Sequence, residues 1–268
     1  MLLYSGASEI GFADTETHVN EDFVHVKEFQ TDEGIVTFGV VADGAGSLGQ
    51  SAKYQPAVLA AIQVEEALQR LCEDNISEFL LCPHVFMREA MVSASYTLGA
   101  FRMCDEQHYS RFATSMSCVL FYQDSFAFAH TGNTRITLIR RNKNNPEMSD
   151  IKLITRDMTK GMELVKAGKI SFNDYHLHPA RLEVTGGLGL TVTPDIQVMA
   201  AKLHPQDIII LTSDGIHDAI RPDAMFEFLK RSQTCDDAVQ TFIAAAKAEK
   251  YEDNMTALIF WNEGGAKK

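Results

Sequence analysis

A chain of 268 residues, 46% of them hydrophobic, is long enough for one large domain or two small ones, and its apolar content excludes wholesale disorder. With 24 basic against 36 acidic residues the formal net charge is -12, which argues against nucleic-acid and membrane-surface partners, whose phosphates would be repelled. Cys72, Cys82, Cys104, Cys118 and Cys235 form no C-x-x-C pair, so they read as reduced packing thiols of a cytoplasmic protein. The opening MLLYSGASEIGF lacks the basic and long apolar regions of a signal peptide, and no stretch reaches the ~18 apolar residues of a membrane span.

In chain order, FVHVKEF (23–29) and GIVTFGVVA (34–42) read as strands around the hairpin-length turn QTDEG. Two helices are predicted next. The first, about 50–74, places Val58, Ile62, Leu68, Leu71 and Cys72 on one face; the second, about 83–105, carries Met87, Met91, Ala94, Leu98 and Phe101 at spacings of three and four. Pro83 suits the first turn of the second helix. Strand-like segments return at MSCVLFYQ (116–123), SFAFAH (125–130) and TRITLIRR (134–141), and NKNNPEMSD (142–150) reads as a turn-rich loop. Residues 156–190 are polar, Gly-rich and weakly periodic, with a short helix around 160–167. IIILTS is the next strand, its continuous apolar run suiting burial on both faces. Thr234, with Asp237 three residues on, caps a helix that turns Val239, Phe242, Ile243 and Ala246 inward, and TALIFW (256–261) is the final strand. Strands, then helices, then strands argue for antiparallel sheets covered by helices, with the helices at 50–105 and 234–250 on opposite faces.

Acidic residues recur at the ends of these strands. GVVADGAG places Asp43-Gly44 after an apolar run, and IIILTSDG does the same with Asp214-Gly215. Glu21-Asp22 and Glu252-Asp253-Asn254 stand directly before strands. Each alone is ordinary turn chemistry. Together, on strands lying side by side, they would converge on one rim and repel one another unless a cation sat among them. Oxygen ligands without Cys and with few His select Mg²⁺ or Mn²⁺ over zinc. Glycine after a ligating aspartate lets the backbone approach closely. Two such ions ~4 Å apart activate a water and clamp phosphoryl oxygens.

The order NED (20–22), VADGAG (41–46), HTGNTR (130–135), LTSDGIHD (211–218) and EDNMT (252–256) resembles the protein phosphatase 2C family of metal-dependent Ser/Thr protein phosphatases, in its bacterial type. The resemblance spans about residues 5–261, and 153–190 is similar to a segment that bacterial members carry before the Ser-Asp-Gly strand. It implies an α+β fold, a four-layer αββα sandwich with two antiparallel β-sheets flanked by helices. It also implies a single domain, 1–268, because the ligands come from both ends of the chain, with 156–190 as a flap over the site. By the same resemblance, Asp43 would bridge two Mg²⁺ or Mn²⁺ ions and the Gly44 carbonyl would bind the second. Asp214 and Asp253 would hold the first, and Glu21 and Asp22 would act on the metal shell. The nucleophile would be a metal-activated water, with no covalent phosphoenzyme.

Three positions depart from the family pattern. Thr17 stands where members carry a phosphate-holding arginine, with His18 beside it as a partial substitute for substrate binding. Asn133 replaces the aspartate associated with a third metal, and as a neutral ligand should hold that ion less well, unless it is only a solvent-facing hairpin residue. Ala45 follows Asp43-Gly44 where others carry His or Met. The function expected is hydrolysis of phosphoserine and phosphothreonine in phosphorylated protein substrates, opposite a cognate Ser/Thr kinase system. The alternatives are a pseudophosphatase or phosphoprotein-binding regulator with little turnover, and a phosphatase of small phosphomonoesters.

Overall fold

The computed structural model describes residues 1–11, 19–47, 55–141, 149–250 and 252–263. Its strands are β1 (Leu2–Glu9), β2 (Asp22–Thr31), β3 (Gly34–Ala45), β4 (Ala113–Tyr122), β5 (Ser125–Thr131), β6 (Arg135–Arg141), β7 (Ser149–Leu153), β8 (Gln197–Lys202), β9 (Ile208–Thr212) and β10 (Met255–Asn262). The helices are α1 (Pro56–Asp74), α2 (Ile76–Leu81), α3 (Pro83–Cys104), α4 (Glu106–Tyr109), α5 (Lys160–Lys166), α6 (Phe172–Tyr175), α7 (Asp214–His217), α8 (Pro222–Arg231) and α9 (Cys235–Ala248). Local chemistry sets many of these limits. Pro56, Pro83 and Pro222 stand in the first turns of α1, α3 and α8, where no amide donor is needed. The Thr234 hydroxyl accepts from the Asp237 amide at 3.1 Å and starts α9.

The strands form two five-stranded sheets, ordered β1-β10-β9-β6-β7 and β2-β3-β4-β5-β8, with every pairing antiparallel. Side chains alternate between three apolar layers. Val40 and Ala42 face α1 and α3, and Ile208, Ile210 and Ile259 face α8 and α9. Val41, Ile209, Leu211, Leu258 and Phe260 meet between the sheets. A run such as Ile208–Leu211 is therefore apolar throughout because both of its faces are buried. The architecture is the four-layer sandwich that the resemblance implies.

Several elements differ from the sequence reading. Asp43 and Gly44 do not form a turn: both stay inside β3, held by the pairs Asp43↔Ser115 and Gly44↔Thr114. Ser149 and Asp150, read as loop, begin strand β7, while residues 142–148 lie outside the described residues. Strands β1 and β8 and helix α8 were not anticipated. Of the cysteines, Cys72, Cys118 and Cys235 are buried, but Cys82 and Cys104 are exposed and so do not belong to the core.

Candidate active site

The acidic residues do not share one sheet rim. Asp22 and Asp43 pair across β2 and β3 in one sheet, whereas Asp214 follows β9 and Asp253 precedes β10 in the other. They meet across the gap between the sheets, where Asp43 and Asp214 line one cavity and the charge of Asp214 acts on Asp43. Glu21, Asp43, Gly44, Asp214 and Asp253 line a cavity of about 490 Å³, together with Asn133 and Ala45. Asp22 is buried beside it, near the Thr256 and Ser213 hydroxyls. Thr17 and His18 lie outside the described residues.

Backbone geometry fixes these positions. The Gly44 amide donates to the Glu21 carbonyl at 3.1 Å, and a Cβ at Gly44 would lie 2.7 Å from that same oxygen. A Cβ at Gly215 would lie 2.0 Å from the Asn254 carbonyl oxygen. The glycine after each aspartate thus lets a neighbouring chain pass, rather than making a turn. Asn254, buried, accepts the Glu21 amide on its Oδ1 at 2.9 Å and so joins the last motif to the first.

The electrostatics are those of a site built for cations. Burial, then the charges of Asp214, Asp22 and Asp253, hold Asp43 well above the ordinary carboxylate range. Burial pushes Asp22 up to about 7 despite the two hydroxyls. Burial and then Asp253 push Asp214 to about 6, against a hydrogen bond from Asn133. Asp22 Oδ2 and Asp214 Oδ1 are buried without a hydrogen-bond partner, a costly state that a bound cation would relieve. Among the described residues, no three His, Cys, Asp or Glu side chains close into a tight metal cage. The oxygens stand around a cavity instead, which suits Mg²⁺ or Mn²⁺ retaining part of its water.

Asn133 belongs to this cluster and is not a solvent-facing hairpin residue. It is 4% exposed. Its Nδ2 donates to Asp214 Oδ2 at 2.8 Å, and its Oδ1 accepts from the Ser115 hydroxyl at 2.7 Å. The segment 156–190 supplies Leu182, Val184, Gly186 and Leu190 to the cavity wall. It is anchored by Leu188, whose amide and carbonyl pair with Thr114, and by Asp157, which accepts Arg135 at 3.0 and 2.6 Å and the Tyr175 hydroxyl at 2.6 Å. Burial alone would raise Asp157, but Arg135 outweighs it and holds the carboxyl at about 2. The sequence reading passed over this anchor, and over Arg111 and Ser115 in the cavity wall. Arg135 stood in the HTGNTR motif, but Asp157 lies in a polar stretch where nothing marks it as the partner of that arginine.

Residues 14–155, just over half of the chain, match the profile of the family described as Protein phosphatase 2C. The chain belongs to the protein phosphatase 2C family. It is 27% identical over 249 residues to a putative protein phosphatase 2C-type of Streptococcus pyogenes, covering 91% of this chain and 92% of that one. It is 23% identical over 256 residues to the serine/threonine phosphatase stp of Listeria monocytogenes, covering 90% of each. Among solved structures, the serine/threonine phosphatase of S. agalactiae superposes with a TM-score of 0.78 at 22% identity, over 97% of this chain and 99% of that one. The catalytic domain of the phosphatase PstP, solved in complex with 2 manganese ions, superposes with a TM-score of 0.72 at 22% identity, over 97% of each chain. At that identity the structural likeness establishes the protein phosphatase 2C fold.

Proposed function

We propose that this protein phosphatase 2C removes phosphate from phosphoserine and phosphothreonine in proteins, using divalent cations held by the carboxylates between its sheets. The observation that carries the reading is the meeting of buried Asp22 with half-buried Asp43 and Asp214, all pushed toward protonation, beside a cavity that Asp253 also lines. Asp43, the Gly44 carbonyl, Asp214 and Asp253 would hold two such ions, and Glu21 and Asp22 would act from the surrounding shell. Cations bound there supply positive charge to phosphoryl oxygens and lower the pKa of water.

The chain's own residues orient this machinery. Asn133 occupies one oxygen of Asp214 and leaves the other turned to the cluster. The Ser115 hydroxyl is engaged with Asn133, so it is no free nucleophile. Leu182, Val184 and Leu190 give the cavity an apolar wall that limits water on the flap side. The relatives named as serine/threonine phosphatases support phosphoprotein substrates, and a kinase that installs those phosphates would be the counterpart. A cytoplasmic location suits such a pair. Among the described residues no helix is long and apolar enough to cross a membrane.

Phosphate release from a phosphothreonine peptide and from an aryl phosphate, each with Mn²⁺, Mg²⁺ or excess chelator, tests the proposal. Release from the peptide with either cation and none with chelator is expected. Full activity in chelator would overturn it. Peptide binding without release would favour the regulator reading, and release from the aryl phosphate alone would favour small phosphomonoesters.

A further inference from the structure

The cavity wall contains a cation with no assigned task. Arg111 lies in the turn between α4 and β4 and lines the cavity with Glu21, Asp43, Asp214 and Asp253. It is exposed, and among the described residues it makes no ion pair. Two other arginines of this region are already engaged, Arg135 with Asp157 and Arg181 with Asp218.

The backbone of Arg111 is fixed from both sides. Phe112 is fully buried, its ring 5.4 Å from that of Phe101 and 5.1 Å from that of Tyr109. Across the turn lies Gly46 at φ +83, where a Cβ would come 2.7 Å from the Arg111 carbonyl carbon. Ala113 pairs with Ala45 and Ser115 with Asp43 on adjoining strands. Arg111 is therefore held two residues before the ladder that positions the central aspartate, on a turn packed against Gly46.

We propose that Arg111 holds the phosphate group of the substrate. The inference rests on the phosphatase reading of the cavity. A phosphomonoester enters as a dianion among at least four carboxylates, and its oxygens need strong donors. A guanidinium offers a planar fork that matches two phosphate oxygens at once and stays charged at every relevant pH. The segment leading into β2, residues 10–21, contains neither lysine nor arginine. Arg111 is the arginine that the described cavity wall provides.

The test compares the parent with Arg111→Ala and Arg111→Lys, all in saturating Mn²⁺. Calorimetry follows the binding of inorganic phosphate and of a phosphothreonine peptide, and steady-state kinetics runs beside it. Loss of one charge-assisted bidentate contact should weaken phosphate about tenfold to a hundredfold in Arg111→Ala. KM should rise by a similar factor with kcat changed less. Arg111→Lys should recover part of the binding, and Mn²⁺ affinity and Tm should stay at parental values in both. Phosphate affinity of Arg111→Ala within about twofold of the parent would overturn the proposal, as would a parent that binds no phosphate. A parent that binds phosphate through Arg111 but hydrolyses nothing would keep this inference and overturn the hydrolytic reading. A parent that hydrolyses the peptide with a KM indifferent to Arg111→Ala would do the reverse.

Discussion

Asp214→Asn separates charge from shape at the centre of the site. Asp214 Oδ2 accepts from Asn133 at 2.8 Å, while Oδ1 is buried without a partner. The introduced amide has nearly the same volume. Its oxygen can keep the Asn133 hydrogen bond, and its NH₂ takes the place of the orphaned oxygen beside Asp43 and Asp253. Burial and Asp253 raise the parental carboxyl from 3.8 to about 6, a shift that opposes the ionised form by about 3 kcal/mol. The upward shifts of Asp22 and Asp43, caused first by burial, relieve part of this repulsion by favouring their protonated forms. The metal-free variant should therefore gain about 1–3 kcal/mol, or roughly 2–10 °C in Tm. The pH dependence follows from the direction of the shifts. The native state keeps protons that the unfolded chain has lost between pH 3.8 and about 6 to 7, so metal-free parental stability falls as pH rises through that window. The variant should fall less. Saturating Mn²⁺ should reverse the order, because it stabilises only a protein that binds it, and turnover should drop at least about a thousandfold. Thermal unfolding at pH 5 and pH 8, in chelator and in Mn²⁺, reads all of this beside peptide turnover. A metal-free variant that melts below the parent at pH 8, or one that keeps more than about a tenth of the rate, would refute the reasoning.

Asn133→Asp places a carboxylate against Asp214 at almost unchanged volume; it should lower metal-free Tm and add a weak Mn²⁺ site by calorimetry, and equal stoichiometry with superimposable metal–rate curves would place Asn133 outside the metal shell. Asp157→Asn leaves Arg135 buried without its anion, which should cost about 3–5 kcal/mol by denaturant unfolding and raise KM through a loosened flap; a loss below about 1 kcal/mol would mean that the pair does not anchor it.

Central strands were legible in the sequence because both of their faces are buried. GIVTFGVVA, MSCVLFYQ and IIILTS are nearly continuous apolar runs, and each lies inside a sheet. The strands that went unread, β1, β7 and β8, are all edge strands. SDIKL has polar or charged residues at three of its five positions and is partly exposed throughout, so no run or clean alternation marks it. The acidic residues were legible as a group, but not the way they meet. Asp43-Gly44 looks like a turn by composition, and only the pairing of Gly44 with Thr114 keeps it in the strand. That the four sites come from two facing sheets is a property of topology, which spacing along the chain does not encode. Arg111 carried no signal at all, since one arginine before a strand is ordinary and its place in the cavity depends on the approach of Gly46.

Asn133 shows how the cavity's charge is distributed. The Ser115 hydroxyl donates to Asn133 Oδ1 and accepts from the Asn133 amide at 3.3 Å, which fixes the side chain with its NH₂ toward Asp214. Gly132, at φ +93, makes this possible: a Cβ there would lie 2.1 Å from the Ser115 hydroxyl oxygen. A carboxylate at position 133 could accept from Ser115 equally well, but it would present Asp214 with a second negative charge instead of a donor. The amide thus lowers the proton affinity of Asp214 and favours its ionised, ligating form. It does so while making the cavity one charge less negative. An ion held only by that extra charge would bind less well, whereas a dianionic phosphate approaching past Arg111 meets less repulsion. Neutralising this position therefore shifts the site from gathering a further cation toward admitting the phosphorylated substrate.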